Sequence, residues 1–432
     1  MKKTQKSIKF TIILAVLSLS IIFSSCQDPI FYGIMHDVAP EKATVSGNIT
    51  TIARCLVGEE EYLFLNGNGQ LMYKKLSSQK HGEWKSYSAL PFKLHYYNYF
   101  PSSSTPEGHI GQQILRVISD KDNIYLLTAS YETDNEYGIV LPKSFFLWTR
   151  PLAGILEGTA NDWTDLAEDA GEAVFTTKQN KEEGSFETYF NLFFTNTPNP
   201  QNRHAYLRST NPETSEDSYY PLNGVAPLAK TALDTTNYIA TYSPEGENKA
   251  HTRINSAFYI GSTLYYSDAM VVCTNEKKDT AATYACIAAA DKDYNSTKDL
   301  KLFEGSGTSL TDILTAGSAI ASLAVTADSV IIGEGSYNAS YTSNGGIERI
   351  ELDSETKKPK NETSKFTNNA EYQFTAAYIV MSLLCTDPSK TEADASLYAT
   401  ITYRGAGTTA SASASNIGLW SYYPDRGNWN RE

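Results

Sequence analysis

Three stretches of this chain run through the same order of pieces. In the first, the apolar run Ile52 to Val57 is followed by Tyr62 to Leu65, the turn Asn66-Gly67-Asn68-Gly69, the run Leu71-Met72-Tyr73 and then Gly82-Glu83-Trp84. The second passes from Ile114–Ile118 through a Lys121-Asp122-Asn123 turn to Ile124–Leu127, then Phe146-Leu147-Trp148 and Asn161-Asp162-Trp163. The third passes from Tyr378–Met381 to Leu397–Ile401, Gly418-Leu419-Trp420 and Gly427-Asn428-Trp429. Short apolar-aromatic runs bounded by Gly, Asn, Asp, Ser and Pro read as strands, and Asn-Gly between two of them reads as a hairpin. Long runs at helical period are scarce, so the chain is expected to be all-β.

Weaker copies fill the interval. One starts at Ala321–Val325 and continues with Val330–Gly333 and Gly345–Ile350. A second starts at Ile254–Phe258 and continues with Leu264-Tyr265-Tyr266 and Tyr284–Ile287. The poorest takes in Ala173-Val174-Phe175, Phe190–Phe194 and His204–Leu207. Together they make six units of ~60 residues, a period at which repeat architectures are expected. Units of four antiparallel strands repeated in this way resemble the blades of a β-propeller, in which each blade buries its faces against its neighbours. The resemblance implies six four-stranded blades over residues 44–432. Seven remain open, because Leu222 to Tyr242 could hold further strands, and a tandem pair of β-sandwiches is the competing architecture.

The start of the chain sets an address. Lys2, Lys3, Lys6 and Lys9 precede the apolar stretch Phe10 to Phe23, and Ser24-Ser25-Cys26 follows. A basic leader, a short apolar core and small residues before a cleavage point make an export signal. The pattern resembles a bacterial lipoprotein signal. Its box is relaxed in the manner of spirochaetes, with Phe23 where leucine is commoner. The resemblance implies a signal peptide over 1–25, cleavage before Cys26 by signal peptidase II, acylation of Cys26 and a tether over 26–43. Two or more acyl chains hold a protein stably on a membrane, whereas one binds marginally. The alternatives are an ordinary signal peptide cut nearby and, less in keeping with so short an apolar stretch, an uncleaved span. The expected location is the bacterial outer membrane, facing either the periplasm or the exterior, with the membrane itself as one partner.

Charge narrows the other partners. The net charge is -13, and losing a leader that carries four lysines and no acids takes it to -17. Polyanions are bound by basic surface that releases counterions. No Lys/Arg cluster of that kind is present, so nucleic acid is not expected as a partner. Four cysteines follow the lipid position. Cys273 and Cys286 flank a polar loop and are a candidate disulfide; Cys55 and Cys385 sit in first strands of the first and last units, which are neighbours if the ring closes, and read as either a second pair or buried, unpaired thiols.

No catalytic, metal or cofactor motif stands out. Asp291-Lys292-Asp293-Tyr294-Asn295 opens like a calcium loop, but Ser296 stands where glycine is needed and Leu302 where the closing glutamate belongs. Asp162, Asp165, Glu168 and Asp169 read as a solvated loop or short helix rather than a cation site. The six histidines fall in no nucleophile arrangement. The functional opening is aromatic. Tyr96, Tyr97, Tyr99, Tyr219, Tyr220, Tyr422 and Tyr423 lie beside turns, where such rings either seal blade interfaces or stack on a sugar or protein partner. The expectation is a lipid-anchored binding or scaffolding protein without a cofactor, taking a protein or glycan partner. A propeller hydrolase or lyase acting on a glycan or small substrate, and a subunit of an envelope assembly, are the alternatives.

Overall fold

The computed structural model describes residues 44–47, 49–77, 83–94, 111–134, 136, 139–167, 175–182, 185–196, 200–213, 217–222, 224, 250–252, 256–260, 263–273, 280–290, 301–302, 319–335, 346–355, 359–366, 378–403, 417–425 and 428–432. All of them belong to one unit, residues 44–432, so the predicted signal peptide, tether and Cys26 lie outside the described residues. Within that unit most of the described residues are in strands, with three short 3-10 turns and no longer helix among them.

Sheet I contains β1 (Ile52–Val57), β2 (Glu60–Gly67), β3 (Gln70–Lys75) and β4 (Lys85–Tyr87), antiparallel and in sequence order. The β2–β3 turn puts Asn68 and Gly69 at φ 52 and φ 70, the left-handed pair that a tight hairpin demands and that Asn-Gly supplies. Sheet II repeats the order with β5 (Gln112–Ser119), β6 (Asn123–Asp134), β7 (Ile139–Pro151) and β8 (Thr164–Asp165). A small two-stranded sheet follows, β9 (Thr177–Asn180) with β10 (Ser185–Thr188).

Sheet III is the exception to the four-stranded rule. It contains β11 (Phe190–Asn196), β12 (Ala205–Thr210), β13 (Asp217–Leu222), β14 (Ala250–Thr252), β15 (Ser256–Ile260), β16 (Thr263–Cys273), β17 (Thr280–Ala290) and β18 (Lys301–Leu302), eight strands in one sheet. Sheet IV comprises β19 (Ala319–Val325), β20 (Ser329–Gly335), β21 (Gly346–Leu352) and β22 (Pro359–Lys365). Sheet V comprises β23 (Tyr378–Cys385), β24 (Leu397–Tyr403), β25 (Gly418–Tyr423) and β26 (Asn428–Arg431).

The first strands touch in a closed cycle. β1 meets β5, β5 meets β11, β11 pairs with β15, β15 meets β19, β19 meets β23, and β23 returns to β1. Sheets arranged this way around their innermost strands form a β-propeller. The number of blades corrects the sequence expectation of six, or seven. The described residues form five large sheets, because the third and fourth repeat units are joined. β12 pairs with β11 only from Phe190 to Phe194, and the overhanging Thr195 and Asn196 pair in parallel with Ala257 and Phe258. Backbone donors and acceptors left over on a strand end are satisfied by the next strand that can reach them.

Side-chain alternation explains why each sheet needs two neighbours. In sheet I, Leu63 and Leu65 enter the cluster shared with Leu384, Tyr398 and Leu419 of sheet V, whereas Phe64 between them enters the cluster shared with Val117, Ile124 and Leu126 of sheet II. In β6, Ile124 and Leu126 face sheet I, and Tyr125 and Leu127 face Leu192 and Leu207 of sheet III. Successive residues of a strand point to opposite faces, so both faces are buried only when a sheet stands on each side. The repeated tryptophan has one job at three places. Trp84 packs sheet I onto V, Trp163 packs II onto I, and Trp429 packs V onto IV. Each indole bolts its own sheet to the one before it.

The IV–V joint is tight. Ser322 Oγ donates to Val380 O at 2.6 Å across the first strands, and a methyl group on Gly333 would lie 2.3 Å from that hydroxyl and 2.9 Å from the same carbonyl. Gly333→Ala is therefore expected to destabilise the domain by about 1–3 kcal/mol, the usual cost of overpacking a core, read as a lower urea midpoint with unchanged slope.

Candidate functional site

The axis has two ends, one where the first strands begin and one where they finish. At the finishing end, β1 carries Arg54, and the β1–β2 hairpin brings Glu61 back beside it. Arg54 donates through Nε to Glu61 Oε2 at 2.9 Å and through Nη2 to the same oxygen, and its Nη1 reaches Cys385 O of sheet V at 3.4 Å. Arg203 arrives from the other side. It follows the helical turn Pro200–Asn202, donates to Glu61 Oε1, and reaches Arg54 O at 3.4 Å. Ser119 Oγ of β5 donates to that same Arg54 carbonyl at 2.8 Å. One carboxylate is thus clamped by two guanidinium groups from different sheets. Burial pushes the Glu61 carboxyl up, but the hydrogen bonds and charges of Arg54 and Arg203 outweigh it and hold it below the ordinary glutamate range.

Beside this clamp lies a cavity of about 400 Å³ between sheets I and V, within the range of small-molecule sites. Arg54, Glu61 and Tyr423 line it together with Thr386, Asp387 and Lys390. Thr386 Oγ1 donates to Ser396 O at 3.2 Å, and Asp387 Oδ1 accepts from Ser389 N at 3.1 Å. These bonds fix the β23–β24 connection that forms the rim.

A third group is deeper. Asp120, at the β5–β6 turn, accepts at Oδ1 from the amides of Asp122 and Asn123 at 2.7 and 2.6 Å and at Oδ2 from the Tyr125 hydroxyl at 2.5 Å. Burial raises the Asp120 carboxyl above its usual value in spite of these donors. Burial, and then the neighbouring Asp120, raises the Tyr125 phenol. Cys55 and Cys385 are free and buried, and burial pushes both thiols up to about 12. They are inert as nucleophiles at neutral pH.

The remaining sequence candidates sort as follows. Tyr422 and Tyr423 are 1% and 3% exposed, and their rings meet Phe366 and Tyr398 edge to face. They seal the joints of sheet V instead of forming an exposed aromatic surface, although Tyr423 also borders the larger cavity. Tyr220, in β13, packs half-buried against the sheet II–III core. Tyr219 lies in the same strand, paired with Arg208. Tyr96, Tyr97 and Tyr99 lie outside the described residues, as do the calcium-like loop, Glu168 and Asp169. Cys286 stands opposite Asp268 and Cys273 opposite Thr280 on the β16–β17 ladder, so the two cysteines occupy adjacent strands without being cross-strand partners. Asp162 caps a helical turn through Thr159 N at 2.6 Å, and Asp165 Oδ1 accepts from Leu147 N and Ala167 N. Both acids are thereby committed to local structure. Among the described residues, no three or more His, Cys, Asp or Glu side chains are grouped to hold a metal ion. Sequence reasoning missed Arg54, Glu61 and Arg203. The only signal is that Arg54 interrupts an otherwise apolar strand-like run; Arg203 follows the polar Pro200-Gln201-Asn202 and carries none.

No protein-family model matches this sequence, and no curated protein matches it. Several solved structures resemble it in outline. The C-terminal domain of gp131 from bacteriophage phiKZ is 9% identical, over 88% of this chain and 94% of that one, with a TM-score of 0.34. An ulvan lyase, from a polysaccharide lyase family, is 11% identical over 91% and 86%, with a TM-score of 0.38. A mutant of AofleA from Arthrobotrys oligospora is 9% identical over 92% and 88%, also with a TM-score of 0.38. The propeller assignment stands on the cycle of sheets described above and not on these likenesses.

Proposed function

We propose that this chain is an exported propeller, anchored through a lipid on Cys26, that acts as a binding or scaffolding protein of the bacterial cell envelope at the outer membrane. The observation that carries the binding role is the 400 Å³ cavity at the finishing end of the axis, whose charged walls are already locked by hydrogen bonds from several sheets. A site held this way loses little side-chain freedom when a ligand arrives. The basic leader and Ser24-Ser25-Cys26 support the anchor. A protein or glycan fits as partner, and the acidic balance disfavours nucleic acid.

The test has two arms. Cells labelled with radioactive palmitate are expected to mark the protein, and Cys26→Ser is expected to abolish the label and release the protein from the membrane fraction. Cross-linking of intact cells followed by pull-down is expected to recover a defined envelope partner or glycan. Label that persists in Cys26→Ser would overturn the anchor, and pull-down that yields nothing above a signal-peptide-only control would overturn the binding role.

A second reading, an enzyme acting on a glycan, is favoured by the Asp120–Tyr125 pair. A carboxyl raised by burial beside a hydrogen-bonded phenol is the kind of perturbed couple that acid-base catalysis uses. Release of new reducing ends from envelope polysaccharide, lost in Asp120→Asn, would select it.

A further inference from the structure

We propose that the cavity of about 400 Å³ between sheets I and V binds a short zwitterionic peptide, one that keeps both its ammonium and its carboxylate. The proposal rests on the binding role assigned to this cavity above and names its ligand class. At ~30 Å³ per water in the liquid, the space is that of about a dozen waters, enough for a dipeptide and too little for a folded chain.

Charge decides the class. Among the described residues, the charged side chains in the lining are Arg54, Lys390, Glu60, Glu61 and Asp387. Glu61 is neutralised by Arg54 and Arg203, and Glu60 accepts from Lys75 Nζ at 2.8 Å. What is left is one anion and one cation. Asp387 receives both Ser389 bonds on Oδ1, at 3.1 Å from the amide and 2.5 Å from the hydroxyl, so Oδ2 keeps its acceptor capacity. Among the described residues, the Lys390 ammonium makes no hydrogen bond or ion pair. The Ser389 bonds, and then the charges of Lys390 and Arg54, hold the Asp387 carboxyl below the ordinary aspartate range. The three groups therefore feel one another's charge, while Asp387 and Lys390 stay out of contact.

Arg54 adds donors at the buried side. It donates to Glu61 twice and to Cys385 O once, fewer bonds than a guanidinium can make. A carboxylate pairs with a guanidinium and an ammonium, and an ammonium pairs with a carboxylate. A ligand with a single charge would satisfy one of the two signs and be repelled by the other, whereas a zwitterion meets both. Leu76, half-buried beside the same space, supplies apolar wall for a small alkyl side chain. The charged rim is built before a ligand arrives. Lys390 N donates to Asp387 O at 3.1 Å, and Ala327 N of the β19–β20 turn donates to Lys390 O at 2.8 Å, so little backbone freedom is lost on binding.

The experiment is titration calorimetry on the purified full-length protein with four probes. They are L-alanyl-L-alanine, its N-acetyl form, which lacks the ammonium, its C-terminal amide, which lacks the carboxylate, and O-phosphoethanolamine, a zwitterion of the lipid-headgroup kind. The free dipeptide is expected to bind at least about threefold more tightly than either blocked form, as ion pairs at a partly exposed site allow. Asp387→Asn is expected to abolish the penalty for acetylation alone, and Lys390→Met to lessen the penalty for amidation alone. A thermal melt of each variant separates lost binding from lost folding. Equal binding of the blocked forms, penalties that survive both substitutions, tighter binding of O-phosphoethanolamine, or no dipeptide binding at all would overturn the proposal. If the dipeptide fails while cross-linking still recovers an envelope partner, only this ligand class falls. If the pull-down also fails, the binding role falls with it.

Discussion

Replacing Lys74 by methionine is expected to destabilise the domain by about 3–5 kcal/mol, the cost of leaving a buried ion without its partner. Lys74, in β3, is fully buried, and its Nζ donates to Glu432 Oε2 at 2.9 Å. Trp84 Nε1 donates to the same oxygen at 2.9 Å, and the ammonium sits 5.6 Å from the ring centroids of both Trp84 and Tyr398. The backbone joins at the same place, since Val45 N donates to Glu432 O at 3.1 Å and Glu432 N to Leu419 O at 3.0 Å. Methionine keeps the volume and removes the charge, so the loss is electrostatic and not a cavity.

The pH dependence of that loss separates the two. Burial raises the Glu432 carboxyl, and Lys74, Trp84 and the other donors outweigh it, so in the folded protein it titrates below the usual glutamate value of 4.5. The unfolded chain then binds more protons over that interval, and the stability the pair contributes is present above about pH 4.5 and lost as the pH falls below it. Without Lys74 only Trp84 and the remaining donors oppose burial, so the downward shift shrinks. The deficit of Lys74→Met against wild type, measured by urea unfolding, is therefore expected to be largest near neutral pH and to shrink on acidification. A deficit that stays constant down to about pH 4 would show that packing, and not charge, carries the effect.

Glu61→Gln is expected to cost about 3 kcal/mol, at the lower end for a broken buried pair because the Glu61 side chain is 21% exposed. Its particular feature is that two cations share one anion. Arg54 and Arg203 have side-chain exposures of 9% and 3%, and without the carboxylate they face each other as like charges in a poorly solvated place. The amide retains shape and one acceptor, so a small effect would show that the arginines are satisfied by backbone carbonyls alone. The same substitution alters the wall of the 400 Å³ cavity. Partner recovery by cross-linking is expected to fall along with stability.

The sequence signals that succeeded are local or periodic. Asn68-Gly69 specifies its hairpin through backbone sterics alone, and the alternation in β2 and β6 announces two buried faces per strand. The repeated Trp marks a position, and the structure supplies its meaning as the bolt to the preceding sheet. What stayed hidden depends on distant pairing. Glu61 reads as one of three consecutive surface acids, and its clamp needs Arg203, 142 positions away. Glu432 carries no local signal, yet it is 1% exposed and paired with Lys74, 358 positions earlier. The joining of the third and fourth units turns on a two-residue overhang, below what a repeat pattern resolves.

That joint gives the ring an uneven seam. The other neighbours hold together mainly by side-chain packing with scattered hydrogen bonds, which weakens gradually as surfaces part, whereas β11 and β15 are joined in one continuous sheet by the pairing of Thr195 with Ala257 and Asn196 with Phe258. Closing it brings together segments about sixty residues apart, a much shorter loop than the 331 positions that separate Arg54 from Cys385 where sheets I and V meet, and shorter loops close at lower entropic cost. The parallel pair is therefore expected to form before the ring closes, with the joint between sheets I and V as the final clasp.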